Sequence, residues 1–367
     1  MSGDIEMPID NNPSAKPFFS IIVPCCDVAQ YVRECLESVK RQGFADWECI
    51  VVVEASKDDT ERIVRDVVAG DGRCRVFTEP RSGSPAMPRN TGLDHAGGQY
   101  VVFLDGDDML ADDALSRIAG RIRERPGADI YPCAFNDWRE GAGVVRTVDN
   151  WPPSAPAEMS GLESVARLYG ESHTPFFGAQ FMVYRRAFLD ERSLRFVPGL
   201  VHEDLEFMPR AYCSARRVAP LHEPFYLYRT RVDSIMGASR TEGPKLEHYA
   251  RVFRSLFAFH AAASKKPGFD PAVSRLLGRS WIAQLRNLWF GAASVASVPR
   301  QRRLETMRQM FADGFGDFRT LLSSAPLSRR FAGWCMVLFV RLPTLRGAVE
   351  FFLSRVYGKI AWWRRGR

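Results

Sequence analysis

Two patterns of apolar and polar positions alternate along residues 18–105. Runs that are apolar almost from end to end, FFSIIVP, WECIVVV and YVVFLD, are typical of strands that are buried on both faces. Between these runs, apolar residues recur at every third or fourth position, which predicts amphipathic helices. A shorter run, CRVF, adds one more strand. Four strands that alternate with helices predict an α/β fold with a mostly parallel sheet and helices on both of its faces.

The pattern changes in the second part of the chain. Residues 135–175 are rich in Gly, Pro and Trp and predict an excursion from the regular pattern. A helix is expected to begin near His202, and an extended segment, EPFYLYR, follows it. After about Pro244 the periodicity is helical. The predicted divisions are a disordered lead (1–16), an α/β catalytic domain (17–240), a helical region (241–328) and a basic tail (329–367).

Charge is distributed unevenly over the 367 residues, although their composition is that of a soluble globular protein. The net charge is +7, but the tail alone holds eight arginines and one lysine against the single acid Glu350, a net +8 that leaves −1 for the rest. A nearly neutral body without a nucleic-acid module argues against nucleic-acid binding. The eight cysteines lack CxxC spacing, which predicts buried, reduced thiols in a cytosolic protein.

The basic tail also carries apolar residues. Its uncharged run FAGWCMVLFV is too short to cross a hydrocarbon core of about 30 Å as a helix. Further on, apolar and basic residues at helical spacing predict a helix that lies in the interface of an anionic membrane, so that the protein would be peripheral on the inner face of the cell membrane. Burial of the tail against the catalytic domain is the alternative. The apolar positions are Leu345, Val349, Phe352, Val356, Ile360 and Trp363.

Polar side chains follow three of the predicted strands, at Asp27, at 54–59 and at 105–108. Ligands of parallel sheets bind beyond the carboxyl ends of the strands, so these side chains should converge on one cleft. If the chain stays extended, Asp105 and Asp107 leave on one side, and two carboxylates suit Mg²⁺ or Mn²⁺. Gly106 between them would allow close backbone approach. The alternative to a metal site is that the acids of this stretch only begin the next helix, where the helix dipole favours negative charge.

A second group of polar residues, His202, Glu203 and Asp204, lies at the start of a predicted helix. The helix dipole favours negative charge there, which is a sufficient structural reason for the two acids. A carboxylate kept ionised at a helix start can also accept the proton of a hydroxyl during group transfer. The residues alone leave these two interpretations open.

Six short segments, in this order, resemble the motifs of the family two glycosyltransferases, which have the GT-A fold. They are PCCD (24–27), VEASKDDT (53–60), PRNTG (88–92), FLDGDD (103–108), HED (202–204) and FYLYR (225–229). The resemblance implies a Rossmann-like GT-A sheet followed by a helical C-terminal region. It also implies a glycosyltransferase that depends on a nucleotide-sugar, most simply a UDP-sugar, and on Mn²⁺ or Mg²⁺.

The resemblance also implies roles for residues on the donor side. Pro24, Asp27 and Glu54 would line the nucleotide base and ribose, and Arg89 would lie near the nucleotide. Asp105, beside Gly106, would contact the ribose or the metal. Asp107 would bind the metal that holds the sugar diphosphate.

On the acceptor side, the resemblance implies that Asp204 is the base that activates the acceptor hydroxyl, which inverts the configuration at the sugar carbon. His202 and Glu203 would position the acceptor or this base. The acceptor would be a glycan or a lipid-linked glycan in cell-surface or exopolysaccharide biosynthesis.

The sequence also departs from the family pattern. Cys26 and Asp27 replace an aromatic residue and Asn, and Glu54-Ala55 replaces Asp-Gly. These changes leave two alternatives: a nucleotidyl- or glycerophosphate-transferring enzyme with the same fold, and an inactive glycan-binding subunit. Arg229 and Arg231 are either further phosphate contacts or solvated surface arginines.

Overall fold

The structure is a computed structural model of the chain. It describes residues 16–151, 154–171, 178–230, 246–291, 296–312, 314–342 and 346–353. Apart from Lys16, the predicted disordered lead lies outside these ranges, as do Arg231 and the tail positions Leu345, Val356, Ile360 and Trp363.

Strands occupy mainly the first 230 residues. In chain order they are β1 (Phe19–Cys25), β2 (Trp47–Glu54), β3 (Cys74–Glu79), β4 (Tyr100–Phe103), β5 (Met109–Leu110), β6 (Ile130–Pro132), β7 (Ala134–Arg139), β8 (Gly143–Val148), β9 (Met182–Arg185) and β10 (Pro224–Arg229). Every residue of β1, β2 and β4 is buried. Their continuous apolar runs therefore reflect coverage on both faces, as predicted.

Helices connect these strands and make up the C-terminal part. They are α1 (Val32–Lys40), α2 (Thr60–Val68), α3 (Ala86–His95), α4 (Ala114–Glu124), α5 (Gly161–Glu171), α6 (Arg186–Glu191), α7 (Glu203–Ser214), α8 (Leu246–Ala263), α9 (Pro271–Phe290), α10 (Arg300–Ala312), α11 (Phe315–Ser324), α12 (Leu327–Arg341) and α13 (Arg346–Phe351). The described residues after 245 contain helices and no strand, so the prediction of a helical C-terminal region is confirmed.

The main sheet has six strands in the order β3-β2-β1-β4-β9-β6. The first four pair in parallel, whereas β9 runs antiparallel to both of its neighbours. The sheet is thus mostly parallel, and with helices on its faces it forms the predicted α/β, GT-A-like core. The antiparallel strand was not predicted, since a run of four residues carries no signal of direction.

A second, smaller sheet has the order β5-β10-β7-β8. Its antiparallel pair β7 and β8, together with α5, occupies much of the segment 135–175, which was expected to leave the regular pattern. The segment thus leaves the main sheet, as expected, but it forms regular strands and a helix that the sequence pattern did not predict. The parallel pairing of β10 with β7 aligns Arg229 with Trp138.

Hydrophobic residues form two clusters, one on each face of the main sheet. In β1, Ile21 and Val23 face one cluster and Ile22 faces the other, as the two-residue period of a strand requires. The Ile22 cluster is continuous with the C-terminal helices, where it includes Trp281 and Phe339. One core therefore crosses the predicted boundary near residue 240.

The described part of the basic tail packs on the helical region. Val349 is only 8% exposed, Leu353 is fully buried, and Phe352 packs against the same cluster. Glu350 forms ion pairs with Arg300 and Arg303. Val349 and Phe352 therefore face the protein, which corrects their expected exposure to a membrane interface.

Among the described helices, none combines the length and the apolar content needed to cross a bilayer. All eight cysteines are free thiols, and five of them are buried. The predicted burial of the thiols holds for these five, whereas Cys26, Cys74 and Cys213 are only partly buried.

Candidate active site

The carboxyl ends of β1, β2 and β4 open on a cavity of about 520 Å³, a volume typical of small-molecule sites. All the residues singled out from the sequence contribute to its wall. They are Pro24, Asp27, Glu54, Arg89, Asp105, Gly106, Asp107, His202, Glu203 and Asp204. Residues as far apart in the chain as Pro24 and Asp204 thus line one cleft, and the polar residues at the strand ends meet there as predicted.

One side of the cavity is formed by the loops after β1 and β2. Asp27 has a positive φ of 52° and accepts hydrogen bonds from the backbone N–H of Lys57 (2.7 Å) and from Nη1 of Arg81 (2.6 Å). These two donors lower the pKa of Asp27. Glu54 is buried and accepts hydrogen bonds from the backbone N–H (2.8 Å) and the hydroxyl of Ser82. Both carboxylates are therefore held in place by protein donors.

The acidic segment after β4 is a turn. The N–H of Asp108 donates to the carbonyl of Asp105 (2.9 Å), so the chain is not extended here. The condition of an extended chain at Asp105 and Asp107 is therefore not met, although both residues line the cavity. Gly106 lies so close to β1 that an added Cβ would stand 2.9 Å from Sγ of Cys25 and 3.1 Å from the carbonyl oxygen of Pro24.

Asp108 has a structural environment different from that of its neighbours. It is buried and accepts hydrogen bonds from the hydroxyl of Tyr226 (2.7 Å) and the N–H of Arg229 (2.7 Å). Burial raises the pKa of Asp108 well above its usual range, and the nearby carboxylates Asp107 and Asp105 add to this effect. Asp108 thus joins the turn to β10. Asp112 and Asp113 immediately precede α4, in agreement with the alternative that acids of this stretch begin the next helix.

A buried arginine connects the two acidic groups. The side chain of Arg89, on α3, is only 2% exposed and donates to Asp105 (2.7 Å) and Glu203 (2.5 Å), with Asp204 at 3.5 Å. Its guanidinium also lies 5.3 Å from the ring of Phe196. Burial alone would lower its pKa, but the three carboxylates raise it well above the usual value, so Arg89 remains charged. This side chain holds the β4 turn and the start of α7 in one arrangement.

The start of α7 brings His202, Glu203 and Asp204 to the cavity. Oδ1 of Asp204 accepts a hydrogen bond from the N–H of Ala179 (3.3 Å). Burial and the neighbouring Glu203 raise the pKa of Asp204 to about 8, while Arg89 opposes them. The helix start was expected to keep a carboxylate ionised, but here desolvation outweighs the helix dipole. A group with such a pKa can bind and release a proton near neutral pH.

His202 immediately precedes α7 in a left-handed conformation, with a φ of 67°. A non-glycine residue seldom adopts this conformation outside constrained sites. Its ring stacks on Tyr249 of α8, with the ring centres 4.8 Å apart. The helical region thereby reaches the rim of the cavity.

The cavity wall includes three further residues with possible roles. Arg81 binds Asp27, but a lone arginine in a loop gives no sequence signal. Arg229 is buried, donates to Glu34 (2.5 Å) and lies 4.4 Å over the Trp138 ring, so it is not a solvated surface arginine. Gln180 is buried in the wall, and no described residue donates a hydrogen bond to its Oε1. His222, by contrast, binds Asp149 outside this wall.

The carboxylates of the β4 turn are hard oxygen donors, the type that Mg²⁺ and Mn²⁺ prefer. Within the described residues, no three His, Cys, Asp or Glu side chains are grouped as a complete metal cage. An incomplete donor set of two carboxylates, Asp105 and Asp107, suits Mg²⁺, which commonly takes its other ligands from substrate phosphates and water. The side chains therefore fit a cation bound together with a diphosphate.

The chain has recognisable relatives. Residues 20–192 match the family profile described as Glycosyl transferase family 2. The chain is 30% identical over 252 residues to the uncharacterized glycosyltransferase EpsJ of Bacillus subtilis (strain 168), an alignment that covers 66% of this chain and 70% of EpsJ.

A second relative and a solved structure extend this comparison. The GalNAc(5)-diNAcBac-PP-undecaprenol beta-1,3-glucosyltransferase of Campylobacter jejuni is 28% identical over 229 residues, 61% of this chain and 69% of that protein. The crystal structure of S. aureus TarS 1-349 in complex with UDP-GlcNAc superimposes with a TM-score of 0.59 and 25% identity, covering 83% of this chain and 90% of that one.

Proposed function

Because the chain belongs to glycosyltransferase family 2, we propose that it transfers a sugar from a UDP-sugar to a hydroxyl of a glycan or lipid-linked glycan, with inversion at the sugar carbon. UDP-GlcNAc is the ligand of the TarS structure named above, and the Campylobacter relative is named for a lipid-linked acceptor. Both names support the proposed substrates. Such an enzyme would act in cell-surface or exopolysaccharide biosynthesis.

The observation that carries this proposal is the position of Asp204 in the same cavity as Asp105 and Asp107, with Arg89 between them. Asp105 and Asp107 suit a cation that binds the diphosphate of the donor. Asp204 suits the role of the base that accepts a proton. A reaction that joins a donor and an acceptor needs both functions within one cavity.

On the donor side, we assign Pro24, Asp27 and Glu54 to the nucleoside and Arg89 to the positioning of the acids. Asp105 and Asp107 would hold Mn²⁺ or Mg²⁺. When bound, the cation would neutralise charge on the departing diphosphate. Arg229 is buried at the same turn and donates to the carbonyl of Asp107 (2.9 Å), which supports a role in holding this segment.

On the acceptor side, Asp204 would take the proton of the attacking hydroxyl. The acceptor oxygen forms a bond to the anomeric carbon from the face opposite the diphosphate, the bond from that carbon to the diphosphate oxygen breaks, and the hydroxyl proton moves to Asp204. The nucleoside diphosphate leaves with the bonding electrons. The N–H of Ala179 and the guanidinium of Arg89 keep the Asp204 carboxylate oriented. His202 and Glu203 would position this base or the acceptor.

We place the reaction at the cytoplasmic face of the cell membrane. A lipid-linked acceptor would be found there, and the tail 329–367 has a net charge of +8, which favours an anionic surface.

The experiment that tests the transfer function measures UDP release from a panel of UDP-sugars with Mn²⁺, using purified protein and Asp94→Asn as a matched control. Asp94 is an exposed acid that pairs with Arg195, away from the cavity wall. We expect at least one sugar nucleotide to release UDP by slow hydrolysis, with Asp94→Asn equal to the wild type. Absence of UDP release from every donor, with no thermal stabilisation by any of them, would favour a non-catalytic glycan-binding subunit.

A further inference from the structure

The helix α12 is apolar on two different faces. Its inner face, which includes Ala332, Gly333, Met336 and Phe339, is buried against the helical region. This face accounts for the folding role of the helix, because it contributes to the continuous core. On the opposite face, Phe331 packs edge to face against Phe352, with the ring centres 5.6 Å apart, but the face is otherwise open to solvent.

The outer face presents large apolar side chains to solvent. They lie at intervals of three or four residues and therefore form a single stripe along the helix. The stripe, called the ridge below, consists of Leu327 (80% exposed), Phe331 (56%), Trp334 (45%), Leu338 (36%) and, just after the helix, Leu342 (41%). Within the described residues, the only other large apolar side chains with such exposure are Val144 and Val145.

Basic residues accompany the ridge. By helical spacing, Arg330 and Arg341 lie along the same border of the stripe, and residues 327–342 contain no acid. Arg330 donates to the carbonyls of Ala325 (2.6 Å) and Ser323, which fixes it at the start of the helix. Arg341 lies 4.5 Å over the ring of Phe315. The surface thus combines an apolar stripe with fixed positive charge.

Such a surface matches an anionic lipid interface better than a second protein. A ridge of about 15 residues is about 22 Å long and about 10 Å wide, or on the order of 220 Å². This is well below the roughly 800 Å² per partner of a stable protein interface. An apolar helix face bordered by arginines, by contrast, inserts into the boundary between headgroups and acyl chains.

We propose that the ridge is the surface by which the protein docks on anionic lipid. The proposal rests on the membrane location given under the proposed function but assigns the contact to residues that were not expected to make it. The segment first expected to do so includes Val349 and Phe352, which pack on the protein. Trp334 lies near the middle of the ridge, where its indole can occupy the headgroup level.

The test is flotation of the full chain with phosphatidylglycerol vesicles and with phosphatidylcholine vesicles. The ridge variant combines Phe331→Ser, Trp334→Ser and Leu338→Ser, and the matched control combines Val144→Ser and Val145→Ser. We expect the wild type and the control to float with the anionic vesicles, and the ridge variant to partition at least about tenfold more weakly. Arg341→Gln should weaken partitioning about fivefold, since one basic residue near such a surface contributes about 1 kcal/mol.

Three results would overturn the proposal. These are flotation of the ridge variant equal to that of the wild type, no flotation of the wild type, and a dimer in solution that the ridge variant dissociates without any vesicle binding. UDP release in vesicle-free solution is measured on the same samples. Because that activity does not need the ridge, loss of flotation with UDP release intact separates failure of docking from failure of the transfer function.

Discussion

Nη1 of Arg89 lies 2.5 Å from Oε1 of Glu203, although 114 positions separate the two residues in the chain. The pair is buried, and it joins α3 to the first turn of α7. The same guanidinium binds Asp105, so the donor side and the base side of the cavity share one cation. Changes at Arg89 should therefore affect both folding and catalysis.

Replacement of Arg89 by Met should destabilise the protein by about 3–5 kcal/mol, because three carboxylates would remain in or near the interior without their cation. Urea denaturation measures this change. Arg195→Met is the matched control, since Arg195 pairs with Asp94 at a more exposed position and should contribute about 1 kcal/mol or less. In a double-mutant cycle, Arg89→Met with Glu203→Gln should be less destabilised than the sum of the single variants. Strict additivity would show that the pair makes no net contribution.

The rate of transfer should depend on pH through Asp204. A base with a raised pKa is protonated below that pKa, so kcat/KM should rise with pH, reach half of its plateau near pH 8 and level off above it. The negative charge of Glu203 contributes to this elevation, and Glu203→Gln should shift the rising limb to lower pH. The measurement is a pH profile of kcat/KM for both proteins. A profile that is flat between pH 6 and pH 9 would argue against Asp204 as the base.

The two acidic groups should be separable by substitution. Asp204→Asn should reduce kcat about 10²- to 10⁴-fold with little change in UDP binding, because the base acts on the acceptor. Asp107→Asn should weaken UDP binding in the presence of Mn²⁺ and reduce turnover as well. Calorimetry and steady-state rates distinguish these outcomes. Near-normal turnover by Asp204→Asn would mean that another group takes the proton.

Removal of divalent cations should abolish activity reversibly. With EDTA, the rate should fall on the order of 10²-fold or more, since Arg81 and Arg229 of the cavity wall are already paired with protein carboxylates. Mn²⁺ or Mg²⁺ in excess should restore it. Asp107→Asn should require a higher metal concentration for half-maximal recovery, which a metal titration measures. Full activity in EDTA would assign diphosphate neutralisation to the arginines of the cavity instead.

Much of the catalytic half could be predicted from the sequence, because buried parallel strands have a strong pattern and polar residues at their ends share one edge. Asp27, Glu54 and Asp105 lie in one cavity wall for this reason. The turn at Asp105–Asp108 could not be predicted in this way, since it depends on a hydrogen bond between neighbouring backbone groups and on the burial of Asp108 beside Tyr226.

The sequence pattern also could not predict which side chains pair across long distances in the chain, or which apolar residues are exposed. Nothing around Arg89 indicates three carboxylate partners, because these come from two other segments. In the tail, Phe352 and Phe331 both belong to helical repeats of apolar residues, yet only Phe331 is exposed. Periodicity identifies a helix but does not tell which of its apolar faces meets the rest of the protein.

The hydrophobic cluster that contains Ile22, Phe103 and Trp281 joins the central sheet to the C-terminal helices without interruption. A protein shortened to its first 240 residues would present to water the apolar faces of α5 and α7, which pack against the C-terminal helices α9 and α8. We therefore expect the α/β half and the helical region to unfold together, so that heat melts the chain in a single cooperative transition. Insertions or deletions in the last hundred residues are then expected to lower the yield of active enzyme, even though the reacting groups lie elsewhere.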